Sequence, residues 1–229
     1  MNRNRLILVA AAVGAAAVVA VVLILVAGKS STATPTTTAT TTAALASGSL
    51  AGIPQHGNTL GKASAPVTLI VYEDPQCPFC RSWNVSTLAS VISGFVRPGK
   101  IKIEYRGVVI IGPDSVRGLR AIYAAGKQNK LWNLVEALYA RQGAENSGWT
   151  TNAVILAAAR DAGANGQKIL ADMASVTAEL TTAQKQATAD QLQGTPTFIV
   201  QRPPALAQPL AVSGLDPATF DAALSAAIQ

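Results

Sequence analysis

The stretch VTLIVYEDPQCPFC, residues 67–80, decides the fold of this chain. It begins with an apolar run rich in β-branched residues, which is typical of a strand buried on both faces. A short turn at Asp74-Pro75 follows, and two cysteines separated by two residues then open a helical pattern. Cys77 and Cys80 are the only cysteines of the protein. A strand that delivers a Cys-x-x-Cys pair to the start of a helix predicts a redox-active dithiol.

The position of the pair at the helix start predicts different roles for the two thiols. Pro78 suits the first helical position, where a missing N–H costs nothing, and this leaves Cys77 at or near the N-cap. Unpaired backbone N–H groups and the positive end of the helix dipole favour a thiolate there. We therefore expect the pKa of Cys77 to lie below the free value of about 8.5. Cys80, one turn further along, is then the resolving thiol.

Three other uses of the cysteines are weaker on chemical grounds. A structural zinc site needs four ligands, whereas two cysteines and the lone His56 supply at most three. A c-type haem site needs a histidine directly after the second cysteine, where this chain has Arg81. A purely structural disulfide would close too small a loop to restrict the unfolded chain much. We therefore expect no metal and no bound cofactor, with the redox chemistry carried by a Cys77–Cys80 disulfide.

The N-terminal region predicts a membrane anchor. Leu6–Ala27 contains 22 residues without a charge, and at 1.5 Å per residue its helix would be about 33 Å long, enough to span a bilayer. Arg3 and Arg5 precede it, which favours a cytoplasmic N-terminus over residues 1–5 and an exported remainder. A cleaved signal peptide is the alternative, although its apolar core usually has only about 7–15 residues.

Residues 28–49 predict a linker. Eight threonines lie between Ser30 and Ser47, and the tract has no apolar period, so we expect a flexible Thr/Ala/Ser-rich tether between membrane and domain. An exported location would also allow the cysteines to keep a disulfide. The formal net charge is +6, but no dense Lys/Arg patch stands out, and we expect no nucleic-acid partner.

The domain over residues 50–229 is predicted to begin with a β-α-β unit. Leu50–Lys62 indicates a short edge strand or hairpin ahead of the 67–72 strand. The helix that opens at the cysteines is expected to run to about Val96. One apolar face of this helix would carry Val85, Leu88, Ile92 and Phe95. The alternation of apolar and charged residues from Lys100 to Arg106 then predicts a strand.

The second half of the domain is predicted to be a helical block followed by a β-β-α unit. Glycines divide an Ala-rich helical pattern, from about residue 113 to residue 191, into four or five helices. Phe198–Val200 then predicts an apolar strand, and Leu210–Ser213 its partner strand. Asp216-Pro217 supplies an N-cap and a proline at the first position of the closing helix.

With its elements in this order, the chain resembles the thioredoxin superfamily, and within it the DsbA-like thiol:disulfide oxidoreductases. The resemblance extends from about Gly52 to the C-terminus. The matching residues are Ala65-Pro66-Val67, Asp74, Cys77-Pro78-Phe79-Cys80, the helical insertion and Gly194-Thr195-Pro196-Thr197-Phe198. It implies an α/β, thioredoxin-like fold with a helical insertion, preceded in this chain by the N-terminal transmembrane helix.

The resemblance also implies which residues line the site. Pro196 would be a cis-proline facing the cysteines, and it would expose the backbone of Thr195 to an extended substrate chain beside Cys77. Pro78 and Phe79 would complete the lining. The alternative for Pro196 is a proline tolerated at the first position of a strand.

The sequence departs from the family at the buried acid. Many members carry an acid six residues before the first cysteine, where it moves the proton of the buried thiol, and this chain has Val71 there. Glu73, Asp74 and Glu104 remain as candidates for the proton acceptor of Cys80, although none matches the family position.

The function predicted from these residues is an extracytoplasmic thiol:disulfide oxidoreductase, first of all an oxidase that donates its disulfide to exported proteins with thiols. A disulfide isomerase or a thiol reductase would share the same site. A non-catalytic peptide-binding module with incidental cysteines is the alternative from another class. We expect a single-pass protein of the cell membrane with its redox domain outside, monomeric, and reoxidised by a quinone-linked membrane partner.

Overall fold

The computed structural model describes residues 50–229. Within this range no helix has both the length and the apolar character needed to cross a membrane. The predicted anchor at 6–27, the residues 1–5 before it and the predicted linker at 28–49 lie outside the described residues.

The described part of the chain contains one six-stranded sheet in the order β1-β2-β4-β3-β5-β6. β3 is parallel to β4 and antiparallel to β5, so the strand that leads to the cysteines lies in the middle of the sheet. This arrangement confirms the α/β class and the predicted β-α-β and β-β-α units. The strands are β1 (Gln55–His56), β2 (Thr59–Leu60), β3 (Val67–Glu73), β4 (Ile101–Gly107), β5 (Thr197–Gln201) and β6 (Gln208–Pro209).

Helices connect these strands and cover the sheet. A π-helical turn at Ile92–Val96 follows the second helix, and a 3₁₀ turn at Met173–Ser175 follows the sixth. The α-helices are α1 (Pro78–Ser86), α2 (Leu88–Val91), α3 (Pro113–Gly126), α4 (Leu131–Tyr139), α5 (Asn152–Asp161), α6 (Gly166–Asp172), α7 (Thr177–Ala189) and α8 (Pro217–Ala227). The five helices α3 to α7 form the predicted insertion between β4 and β5.

The two central strands follow their sequence patterns. All seven residues of β3 are buried, as expected for an apolar β-branched strand with neighbours on both sides and helices on both faces. β4 alternates instead, with Ile101, Ile103 and Tyr105 buried and the residues between them partly exposed. The short hairpin β1–β2 pairs with the edge of β4 that is opposite β3, which confirms the predicted edge hairpin.

The first helix differs from its prediction. It ends at Ser86, and Thr87 adopts a φ of −117° before α2 begins. The side chains that α1 buries are Cys80, Trp83 and Asn84. Val85 lies about 200° around the helix from Trp83 and is 54% exposed. Its expected place on the apolar face was therefore wrong.

The last strand also differs from its prediction. β6 consists of Gln208–Pro209, paired with Val200 and Ile199 of β5, rather than Leu210–Ser213. The backbone N–H of Leu210 still donates to Phe198 O at 2.8 Å. The Leu210 side chain, however, is buried in the core, and the chain leaves the sheet there toward α8. Leu210 therefore packs in the core and does not extend the pairing of β5 with β6.

Candidate active site

Cys77 occupies the N-cap of α1, with extended φ and ψ angles of −68° and 120°, and Pro78 follows at the first helical position. The backbone N–H of Cys80 donates to Cys77 Sγ at 3.4 Å, and the Cys77 thiol donates to Thr195 O at 3.2 Å. Cys77 is 5% exposed and Cys80 is fully buried. The structure thus places the Cys77 thiol at the N-terminus of α1 and the Cys80 thiol one helical turn further along, in the core.

The surroundings of the two thiols shift their pKa values in opposite directions. The pKa of Cys77 is lowered to about 6, and the largest cause is the hydrogen bond with the Cys80 thiol. Burial acts in the opposite direction. The Thr195 side chain and nearby backbone amides lower the pKa further. Burial raises the pKa of Cys80 well above its usual value, and the nearby Cys77 and Glu73 raise it further. At neutral pH the pair therefore holds one thiolate and one thiol.

Glu73 supplies a buried acid beside the pair. It ends β3 on the same face as Val71, because the two residues are separated by one strand period. One amide nitrogen, Asn84 Nδ2, donates both to Glu73 Oε1 at 2.7 Å and to Cys80 O at 2.9 Å. Burial raises the pKa of Glu73 to about 8, although hydrogen bonds from Asn84 and Tyr139 act in the opposite direction. The carboxyl group is therefore mostly protonated at neutral pH.

Asp74, the next candidate for the proton acceptor, uses its carboxylate to hold the turn after β3 in place. Its Oδ1 accepts from the N–H of Gln76 at 2.8 Å and from the hydroxyl of Ser115 at 2.6 Å. Its Oδ2 accepts from the N–H groups of Ile110 and Ile111 at 2.8 and 3.0 Å. Four donors fill the acceptor positions of this carboxylate, so its geometry suits holding the loop after β4 against the cysteine turn.

Glu104, the third candidate, faces away from the cysteines. It alternates with the buried residues Ile103 and Tyr105 of β4, and its carboxylate pairs with Arg106 Nε at 2.7 Å. The alternation of the strand therefore corrects the inclusion of Glu104 among possible proton acceptors for Cys80.

The other wall of the site comes from the segment before β5. The Thr195–Pro196 peptide is cis, and Thr195 O lies against Cys77 Sγ. Phe79, between the cysteines, is 65% exposed although it is a large apolar side chain. The Cys77 sulfur thus lies against the Thr195 backbone, and an exposed aromatic ring follows two residues later in the chain.

Aromatic packing fixes α1 against the sheet behind the site. The ring of Trp83 lies 5.2 Å from that of Phe198 in β5 and 5.8 Å from that of Phe220 in α8. The rings of Phe198 and Phe220 are 4.7 Å apart in an edge-on arrangement. These contacts tie the cysteine helix to β5 and α8, which both follow the helical insertion.

Both cysteines are free thiols. Over residues 50–229 no group of three or more His, Cys, Asp or Glu side chains is placed to hold a metal ion. What the arrangement can do chemically is exchange a thiol pair for a disulfide. The thiolate at the helix N-cap would be the exchanging group and the more deeply buried thiol the resolving group, and a protonated acid lies beside the buried thiol.

Comparison with known proteins agrees with this site. A family model described as thioredoxin matches residues 55–204. The chain is 30% identical over 105 residues to a Bacillus cereus protein named "Probable disulfide bond formation protein D". That match covers 45% of this chain and 49% of the relative, so the chain spans about half the length of the curated relatives it matches.

Solved structures show the same fold. BdbD from Bacillus subtilis, in its oxidised form, superposes with a TM-score of 0.64 at 20% identity, over 77% of this chain and 95% of that one. A thioredoxin-like oxidoreductase from Silicibacter pomeroyi has a TM-score of 0.55 at 25% identity, over 78% and 95% of the two chains. The arrangement of strands and helices around the two cysteines is therefore shared with these proteins.

Proposed function

The chain belongs to the thioredoxin family, and we propose that it is an extracytoplasmic thiol:disulfide oxidoreductase that works as an oxidase of exported proteins. The observation that carries the proposal is the contrast between Cys77, an acidic thiol at a helix N-cap, and the buried Cys80. Stabilising the Cys77 thiolate stabilises the reduced protein, which makes its disulfide a stronger oxidant. The name of the Bacillus cereus relative, a disulfide bond formation protein, supports this direction.

In the proposed reaction the Cys77–Cys80 disulfide accepts two electrons. A substrate thiolate attacks Cys77 Sγ, the bond between the two enzyme sulfurs breaks, and Cys80 leaves as a thiolate. A second substrate thiolate then attacks the substrate sulfur of the mixed disulfide, and Cys77 leaves as a thiolate. The substrate gains a disulfide, and the reduced enzyme holds a Cys80 thiol and a Cys77 thiolate after Cys80 takes up one proton.

Glu73 is the proposed proton donor and acceptor for Cys80. A thiolate leaving into a fully buried position is costly unless it receives a proton at once. Glu73, with a pKa of about 8, carries a proton at neutral pH and shares the Asn84 amide nitrogen with the backbone of Cys80. It would give this proton to Cys80 during substrate oxidation and take it back during reoxidation.

The substrate is proposed to bind as an extended chain across the Cys77 surface. The backbone at Thr195 lies beside the sulfur and would pair with the substrate main chain, which requires no particular side chain. The exposed ring of Phe79 would contact apolar substrate side chains. Such recognition suits an enzyme that acts on many exported proteins before they have folded.

The proposed location is the outer side of the cell membrane, with a single uncleaved span at 6–27 and a linker at 28–49. Anchoring would keep the monomeric domain near a quinone-linked membrane protein that reoxidises it. Protease added from outside should release the domain by cutting in the Thr-rich tract. A soluble mature form that begins after Ala27 would instead indicate a cleaved signal peptide.

The deciding experiment is the reduction potential of the Cys77–Cys80 pair, measured by equilibration with glutathione buffers. A strong oxidase would have a value near about −120 mV and a thioredoxin-like reductase one near about −270 mV. We expect the oxidising half of this interval, together with disulfide formation in a reduced peptide carrying two cysteines. A value at the reducing end would contradict the oxidase and favour a reductase.

A further inference from the structure

A glutamine of the helical insertion holds the cysteine turn. Gln142 follows α4, in the loop of residues 140–151, and its side chain is half-buried. Its Nε2 donates to Pro75 O at 2.8 Å and to Cys77 O at 3.0 Å. Both N–H groups of one amide are therefore used on two carbonyls of the turn that contains Cys77.

A second contact joins the same loop to the same turn. Gln76, which is buried, accepts from the backbone N–H of Asn146 at 2.6 Å and donates to Asn146 Oδ1 at 3.2 Å. The loop itself is held firmly, because a Cβ at Gly143 would lie 2.5 Å from Trp149 Cβ. Asp114 of α3 also accepts from the backbone N–H groups of Gly148 and Trp149. Gln142 thus lies in a loop whose position is fixed by packing and hydrogen bonds.

We infer that Gln142 is a positioning residue that holds the Cys77 sulfur against the N-terminus of α1, so that the helical insertion sets the geometry of the sulfur that exchanges with substrates. The inference rests on the proposed function, which makes Cys77 that sulfur. The hydrogen bond from Cys80 N–H to the sulfur is already long, at 3.4 Å, so a small displacement of the turn would weaken it. The Gln142 N–H groups also present positive ends of their dipoles to the cysteine backbone.

The test is a titration of the Cys77 thiolate by its ultraviolet absorbance in the reduced protein. Gln142→Met keeps the side-chain length and removes both donors, whereas Gln142→Glu replaces them with acceptors. We expect the titration midpoint to rise in Gln142→Met by about half a unit to one unit, which is about a three- to tenfold shift from thiolate to thiol. The midpoint should rise further in Gln142→Glu.

Gln128→Met is the matched control. Gln128 also belongs to the insertion, and its amide also binds backbone, accepting from Asn165 N–H at 2.9 Å and donating to Asn165 O at 3.2 Å. These bonds do not involve the cysteine turn. The control should lose stability in urea as Gln142→Met does, while its thiolate titrates as in the wild-type protein.

A merely structural role for Gln142 predicts a different result. Gln142→Met would then unfold at lower urea concentration with an unchanged thiolate titration, and this outcome overturns the inference. If Gln142→Met does not fold, Gln142→Asn, whose amide is one methylene too short to reach both carbonyls, should show the same rise, and an unchanged midpoint there is equally decisive. The titration needs no substrate. A wild-type protein that fails to oxidise peptides therefore contradicts the proposed function alone.

Discussion

The two faces of strands β3 and β4 differ in how their polar side chains are paired. On the outer face, which carries Tyr72 and Arg106 and points away from the cysteines, Tyr72 donates to Asp190 Oδ2 at 2.6 Å and accepts from Arg106 at 2.7 Å. Arg106 also pairs with Glu104 at 2.7 Å and with Asp190 at 3.3 Å. Each of these four side chains has a partner of opposite charge or complementary hydrogen bonding. The network fastens α7 to the sheet.

On the inner face, within the described part of the chain, the buried polar atoms without a hydrogen-bond partner include Glu73 Oε2, Asn84 Oδ1 and the hydroxyl of Tyr105. Burial is the main reason why the pKa of Tyr105 is raised, and the charge of Glu73 adds to it. Unpaired buried polar groups cost stability. The comparison teaches that the outer network pairs all of its polar side chains, whereas the face beside the thiols keeps unpaired polar atoms at the place where the proposed reaction moves a proton.

The largest expected contrast between the faces is in activity. Cys77→Ser removes the sulfur that substrate thiolates attack and prevents the Cys77–Cys80 disulfide from forming, so oxidation of a dithiol peptide should fall by about a thousandfold or more. Tyr72→Phe on the outer face should retain activity within about twofold. Rates measured with the same reduced peptide would check both values. An equally large loss in Tyr72→Phe would contradict the division between the faces.

The next effect is the pH dependence of stability contributed by Glu73. Its pKa rises from 4.5 in the unfolded chain to about 8 in the folded protein, so between these values the folded state binds more protons and stability falls as pH rises. Glu73→Gln removes this penalty. At pH 9 the variant should be more stable than the wild type by about 3–5 kcal/mol, and near pH 4 the difference should vanish.

Urea unfolding of the reduced proteins at several pH values would measure this difference. Glu104→Gln is the matched control, because it makes the same change on the outer face, where it removes an ion pair with Arg106 and should lower stability and not raise it. If Glu73→Gln and the wild type kept a constant difference from pH 4 to pH 9, the buried protonated acid would be ruled out.

A smaller effect is expected from breaking the outer network. Arg106→Met leaves Glu104 and Asp190 without their cation, and hydrogen bonds to charged groups contribute about 1–3 kcal/mol. The free energy of unfolding should fall by about that amount. The Cys77 titration should not change, because the network lies on the far face of the sheet. A shift in that titration would show that the two faces are electrostatically coupled.

The smallest effect comes from one chemical change made on each face. Tyr72→Phe removes a hydroxyl with two partners and should cost about 0.5–1.5 kcal/mol. Tyr105→Phe removes a buried hydroxyl with no partner among residues 50–229 and should change stability by less than about 0.5 kcal/mol, or increase it. Urea unfolding of both variants at one pH tests the contrast, which would collapse if Tyr105→Phe were the more damaging change.

The local features of the site could be predicted from the sequence. A proline directly after Cys77 fixes the helix start, and an apolar β-branched run fixes the strand, because both depend on neighbouring residues. Glu73 was one of three candidates, and strand alternation could have singled it out, since it shares a face with Val71 while Glu104 lies on the polar side of its own strand.

Other features depend on contacts that no local pattern contains. Gln142 reaches Cys77 across 65 residues of sequence, and a glutamine in a loop has nothing nearby to mark it. The position predicted for Val85 differs from the structure because the break at Thr87 changes which side of the helix meets the core. The strand predicted at Leu210 differs from the structure because a short apolar run has the same pattern whether it extends a ladder or fills a core.

The pairing of β5 with β3 has a consequence for how the protein acquires its chemistry. Thr195 lies 118 residues after Cys77, so the contact closes only after the whole insertion has been synthesised, and long-range closures are slow steps in folding. Until β5 docks, the cysteines belong to an incomplete sheet and the Thr195 contact with Cys77 is missing. Because the chain has just two cysteines, this early stage offers only one internal disulfide. The protein can therefore mature without a wrong pairing to undo.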